Sequence, residues 1–349
     1  MKWVSTRTPG NNELRTSTFE VVRVAKTPEG NRTVRVGDRI NLQYRPNGEP
    51  GEFYLLIGGG DPFKALGERS YWELPEEVTK AGFNHIVRAP SPNARAQTRY
   101  AYFLKFLGFS DPLVVSEAHR ELSKASYKEL APLAPQMSRA KLCQWITNPK
   151  TPADRLALYG LMLGVCGTKR DAEILRRMII KPTENFRLGI DGVMSGYLLL
   201  AGEQGLELLD QTKLKNRQTP FSEAYHALRA IRFMFSQIPR KIEKERLLQS
   251  VRFLLERPEM ADLAIADLAR WKDWSVQDRL MGLYVADDYK HPWMKRAIIG
   301  YMIRSTQDVP TDKAAATPEH VLNGRAHLET LRKRDPEVVR KVEKQMNHT

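Results

Sequence analysis

The chain has 349 residues, 42 % hydrophobic and 28 % charged, with 55 lysines and arginines against 41 acids and a formal net charge of +14 at pH 7. These are the proportions of a globular protein of two or three domains with a sizeable core. The charge favours anionic partners (nucleic acid, acidic protein faces, anionic lipid or polysaccharide), and two cysteines without a CxxC exclude a zinc ribbon or a thioredoxin-type site.

In chain order, Met1–Arg7 is not followed by the apolar run of about 7–15 residues that a secretory signal needs, so the chain as it stands predicts a cytoplasmic location. Residues 18–58 read as β. Ile40, Leu42 and Tyr44 alternate with Arg39, Asn41 and Gln43, the period of a half-buried strand. Phe19–Val24 and Thr33–Val36 precede it, separated by the turn cluster Pro28-Glu29-Gly30-Asn31, and Phe53–Ile57 follows. Four strands predict a small antiparallel β domain over 1–60, too few to close a barrel unless the helical part covers it or a first strand is missing. Residues 61–97 read as a connector, with Gly58-Gly59-Gly60 leaving the last strand and Ala89-Pro90-Ser91-Pro92 as an extended break.

From Thr98 the period becomes helical: Tyr100, Phe103, Leu104 and Leu107 fit i, i+3, i+4, i+7. Six prolines then punctuate the chain: Pro112, Pro152, Pro182, Pro220, Pro258 and Pro292, with gaps of 40, 30, 38, 38 and 34 residues and a mean of 36. Each follows an apolar helical pattern and opens another, as proline does at the first turn of a helix. Small residues (Gly160, Gly192, Gly196, Ala227, Ala230, Ala264, Gly300) recur in the second helix of each pair, where they let neighbours approach closely. A period of this size predicts stacked helical hairpins over 98–310, a HEAT-like α-solenoid in a mainly α protein. Residues 311–349, with the charged stretch Pro318–Met346, read as a terminal helical cap. The longest apolar stretch, Val193–Ala201, is short of the roughly 20 residues that span a bilayer.

The same segments carry a resemblance. Tyr102–Leu122 (YFLKFLGFSDPLVVSEAHREL), Thr151–Gly167 (TPADRLALYGLMLGVCG), Gly189–Leu200 (GIDGVMSGYLLL) and Ile265–Tyr284 (IADLARWKDWSVQDRLMGLY) resemble an uncharacterised, planctomycete-type bacterial family. Its members join a small β-barrel, netrin-like or OB-like, to a HEAT-like solenoid. The similarity covers about Phe19 to Arg340 and implies no chemistry. Members typically begin with a signal peptide and a Cys-Pro-x-Cys segment, which this chain lacks. The resemblance therefore implies an extracytoplasmic location if the start is truncated, and only there would a Cys143–Cys166 disulfide replace two buried thiols.

Candidates for chemistry are few. Seven histidines include no HxH or HxxxH pair, so a helical two-histidine metal face is absent. Asp287-Asp288-Tyr289-Lys290-His291 offers three ligand types but reads as a repeat turn. Gly58-Gly59-Gly60-Asp61 lacks the Gly-Lys-Ser/Thr of a phosphate loop, and no Gly-x-Ser-x-Gly elbow occurs. No catalytic residue, metal or cofactor is assigned. The positive charge is spread. Lys80, Arg88, Arg95, Arg99 and Lys105 lie in a stretch without acids, and the densest run, Arg240–Arg246, contains two acids. It reads as solvated surface, with a polyanion site as the alternative.

The best surface candidate is Arg270-Trp271-Lys272-Asp273-Trp274 with Arg279 beyond, two tryptophans interleaved with cations that can stack bases, sugars or peptide aromatics. The plainer reading wedges both tryptophans between hairpins. Arg270, Trp271, Lys272, Trp274 and Arg279 are therefore the expected binding residues. The function this predicts is non-enzymatic: a binding or scaffold protein that recognises a protein partner on a HEAT-like surface. The alternative is a basic HEAT-like nucleic-acid-binding protein, conceivably a DNA glycosylase-like enzyme.

Overall fold

The computed structural model describes residues 1–7, 16–24, 34–47, 49–59, 71–72, 75–181, 186–312 and 316–346. The strands are β1 (Lys2–Arg7), β2 (Thr16–Glu20), β3 (Arg39–Leu42), β4 (Phe53–Leu55), β5 (Gly58–Gly59), β6 (Tyr71–Trp72) and β7 (Glu76–Val78). The helices are α1 (Lys80–Arg88), α2 (Ala96–Leu104), α3 (Pro112–Leu122), α4 (Tyr127–Leu130), α5 (Arg139–Thr147), α6 (Ala153–Cys166), α7 (Ala172–Ile180), α8 (Ile190–Ala201), α9 (Glu203–Leu209) and α10 (Phe221–Gln237). They continue with α11 (Lys244–Phe253), α12 (Ala261–Arg270), α13 (Gln277–Val285), α14 (Pro292–Gln307), α15 (Glu319–Arg334) and α16 (Pro336–Met346). The protein is mainly α with a small N-terminal antiparallel sheet. Its contacts divide it into two compact units, Met1–Gln136 and Met137–Thr349.

In the first unit the five-stranded sheet runs β3-β2-β1-β4-β7, with every pairing antiparallel. Its centre is β1, which the sequence reading passed over. Trp3 is buried opposite Phe19, and these two with Tyr54 form the core of the sheet's inner face. One aromatic among cations and hydroxyls is a weak strand signal, and only pairing on both sides makes β1 central. Two other expectations are corrected. Val34–Val36 is not a strand, and the chain turns at Val36-Gly37, where Gly37 takes φ +94°. Within the expected connector, α1 forms instead. Thr79 caps it by accepting from Gly82 N at 3.0 Å, and Asp111, which caps α3, accepts from the Thr79 hydroxyl. The turn at residues 28–31 and Gly60-Asp61 lie outside the described residues.

In the second unit prolines open helices as the spacing predicted. Pro152 and Pro220 are the N-caps of α6 and α10, and Pro292 is the first residue of α14; in the first unit Pro112 holds that place in α3. Pro258 stands three residues before α12, and Pro182 lies outside the described residues. Even-numbered helices pack in two runs, α6 on α8 and α8 on α10, then α12 on α14 and α14 on α16. At α6–α8 the backbones touch. A Cβ on Gly196 or Gly192 would collide with the carbonyls of Gly160 or Ala157, and one on Gly160 would lie 2.6 Å from Val193 Cα.

Further along, side chains make the links, and their sequence separations match the proline period. Arg187 binds Glu223 across 36 residues, Arg246 binds Asp210 across 36, Arg232 binds Asp267 across 35, and Arg257 donates to the Thr219 carbonyl across 38. Glu223 also accepts from Lys213 Nζ at 2.8 Å, so one buried carboxylate joins two cations. Burial pushes Glu223 up, but the hydrogen bonds from Arg187 and Lys213 outweigh it and hold it below the usual carboxylate range. Asp267 goes the other way: burial dominates its bond from Arg232 and raises it. No helix among the described residues is long and apolar enough to cross a membrane.

Candidate functional site

The turn between α12 and α13 carries the predicted binding residues, and local chemistry sorts them. Ala261, Ala264, Ile265, Leu268 and Trp271 form one helical stripe and are all buried. Trp271 stacks on Phe235 with ring centroids 4.0 Å apart and planes within 11°. It belongs to the core, as the plainer reading of the sequence had it. The helix then stops in a Schellman turn: Asp273 N donates to Leu268 O at 2.9 Å and Lys272 N to Ala269 O at 3.2 Å. Glycine is the usual residue at that left-handed position. Here Lys272 takes it with φ +57°, at a cost of about 1 kcal/mol.

Lys272 is held there by its side chain. Its ammonium meets Asp308 Oδ1 at 2.6 Å, while Trp274 Nε1 donates to Asp308 Oδ2 at 2.6 Å. His320 Nε2 lies 3.1 Å from the Asp308 carbonyl oxygen, and its ring stacks on the Trp274 indole at 5.9 Å. The edge of the same indole meets Tyr301 at 5.1 Å and 73°. Trp274 is thus fixed on three sides. Burial raises the Asp308 carboxyl, but the Lys272 and Trp274 bonds win and leave it lowered.

Asp273 is buried beside this platform. Its Oδ2 accepts from Arg252 Nε at 2.7 Å and its Oδ1 from the Ser275 hydroxyl at 2.7 Å. Burial raises this carboxyl too, and the Arg252 and Ser275 bonds bring it below the ordinary value. The other predicted cations are drawn away. Arg270 faces Asp267 at 3.5 Å, and Arg279 pairs with Glu256, whose second oxygen takes Arg217 at 2.9 Å. Asp273, Asp278 and Arg279 therefore do not converge on Trp271. Of the five expected residues, the fold brings Lys272 and Trp274 together and disperses Arg270, Trp271 and Arg279.

Two open clefts flank Trp274, and both include Ser275. One, of about 590 Å³, is lined by charges of both signs, among them Lys244, Glu245, Arg252 and Lys272. The other, of about 400 Å³, adds Gln277 and Asp278 from α13 and Glu319, His320 and Asn323 from α15. Asp308, Glu319, His320 and Asn323 escaped the sequence reading. They lie more than thirty residues downstream, and no local motif marks them.

Three groups outside the turn, His85, Tyr289 and His291, are engaged structurally. His85 is buried with Tyr102 Oη 3.3 Å from Nδ1 and Glu117 3.2 Å from Nε2. In the Asp287–His291 turn, Tyr289 donates to Leu255 O at 2.8 Å and His291 stacks on Trp293. Cys143 and Cys166 are free, half-buried thiols, both pushed up first by burial. Among the described residues no group of three His, Cys, Asp or Glu is placed to hold a metal ion. The chain matches no family model, no curated protein and no solved structure.

Proposed function

We propose that the chain is a non-enzymatic binding or scaffold protein. Its helical pairs stack as HEAT-like repeats, in the manner of the planctomycete-type family it resembles, and the stack recognises a protein partner. The observation that supports this most is the set of polar links at one proline period, 35 to 38 residues, which tie together the successive helical pairs between Arg187 and Asp267. Such links make a stiff array whose use is its surface. The clefts on that surface are open, and the buried carboxylate that lines the larger one, Asp273, is neutralised directly by Arg252. A carboxylate so paired is a poor general base. The net charge of +14 aids encounter with acidic faces.

Fluorescence anisotropy with a labelled DNA duplex over a salt series tests this against the nucleic-acid reading. The expected dissociation constant at physiological salt is no tighter than about 10 µM, the non-specific range. Sub-micromolar affinity with a steep salt slope would replace the protein-binding reading with the nucleic-acid one.

A further inference from the structure

The smaller cleft beside Trp274 has a composition opposite to that of the chain. In a protein with 55 lysines and arginines, none lines it among the described residues, whereas Asp278 and Glu319 both do. The Asp278 side chain is 94 % exposed, with His327 Nε2 at 3.0 Å. A second feature points inward. Gln277 is 95 % buried, and its Nε2 is consumed by Ser305 Oγ at 3.0 Å and the His320 carbonyl at 2.8 Å. That fixes the amide orientation and leaves Oε1 as an acceptor without a partner. Ser275 donates its hydroxyl proton to Asp273, so it too offers only lone pairs. Two carboxylates, an amide oxygen and a hydroxyl oxygen thus share the lining with His320, Asn323 and an indole that Asp308 holds still. Groups that only donate hydrogen bonds, carry positive charge and sit well against an indole are ammonium and guanidinium.

We propose that this cleft takes the side chain of a lysine or arginine presented by a basic peptide segment of the partner. The assignment deepens the protein-binding reading and rests on it. The cation would lie against Trp274, between the carboxylates of Asp278 and Glu319, with Gln277 Oε1 accepting one of its hydrogens. Lys272, whose ammonium is tied to Asp308, lines the larger cleft and not this one.

Isothermal titration calorimetry on the full chain at low salt tests it with four probes: a capped Gly-Arg repeat peptide, its Gly-Glu counterpart, spermidine and a DNA duplex. The expected result is saturable binding of the arginine peptide alone, weakened about fivefold in an Asp278→Asn, Glu319→Gln double variant, the modest loss that two solvent-exposed ion pairs carry. An unaltered thermal melt shows that this variant remains folded. Trp274→Phe, which keeps a ring but loses the Asp308 bond, is expected to weaken binding by a further about twofold to threefold. Equal affinity in the double variant, or equal binding of the Gly-Glu peptide, would overturn the assignment. Spermidine binding as tightly as the peptide would overturn the peptide source in favour of a free polyamine. If the duplex binds and the arginine peptide does not, the protein-binding reading falls as well. If neither binds, the cleft assignment alone falls.

Discussion

The contact between α6 and α8 and the stack from α10 to α14 are held by opposite means. At α6–α8, Gly160, Gly164, Gly192 and Gly196 bring two backbones into contact. From α10 onward, arginines reach one helical pair back or forward to a buried carboxylate or carbonyl. The first joint depends on the absence of atoms and tolerates no addition. The second depends on charge pairs in low dielectric and tolerates no deletion, because an unpaired buried ion costs more than the pair contributes. The glycine joint is also indifferent to pH, whereas the ionic joints are not.

The largest expected effect tests the ionic side. Glu223→Ala leaves Arg187 and Lys213 facing each other without their anion and is expected to cost about 4 kcal/mol in urea unfolding. Because the folded Glu223 carboxyl is lowered, its contribution is present at neutral pH and is lost as pH falls through its folded pKa. The stability gap between variant and parent should therefore narrow in acid. A gap that stays constant would mean that Glu223 acts through packing.

Next comes the glycine joint. Gly196→Ala places a methyl on the Gly160 carbonyl and is expected to cost about 3 kcal/mol, against a helix-propensity gain of about 1 kcal/mol. No change in this cost between pH 4 and pH 7 is expected. A neutral or stabilising result would show that α6 and α8 can slide apart freely.

Asp267→Asn is expected to be milder, within about 1 kcal/mol at pH 7, since the amide oxygen still accepts from Arg232. Its sign with pH is the reverse of that at Glu223. The folded Asp267 carboxyl is raised by burial, so its stabilising term is present below the unfolded carboxylate range and is lost as pH rises through its folded pKa. The asparagine variant should gain on the parent between pH 4 and pH 7, read as urea midpoints. A parent that gains instead would mean that the Arg232 bond outweighs burial. The smallest effect is a control. Gly282 lies in α13 with nothing within 4 Å of an added Cβ, so Gly282→Ala should stabilise by about 0.5–1 kcal/mol.

The two joints were not equally readable. Gly160, Gly192 and Gly196 announce close approach because a missing side chain has one physical meaning in a helix interior. The arginines announce nothing, since Arg187, Arg232 and Arg257 look like any other member of a basic surface until their acceptors are known. The same limit applied at the site. Trp271 and Trp274 are three residues apart in one basic segment, yet one completes an apolar stripe against Phe235 and the other stands in a cleft. The difference arises because the helix ends between them, at Lys272, in a left-handed turn that no glycine foretells.

What the sequence by itself determined is whatever is encoded over a few residues: where Pro112, Pro152, Pro220 and Pro292 start helices, which faces of those helices are apolar, that β comes before α, and that these prolines recur about every 36 residues. Capping, period and propensity act within one or two turns, so they can be read without a partner. The tertiary structure decided which strand is central, which carboxylates sit above or below their ordinary acidity, and which residues meet at Trp274. Those depend on contacts between segments well separated in the chain, such as Asp308 with Trp274 and Lys272, 34 and 36 residues away, whose geometry is set by how one helical pair lands on the next.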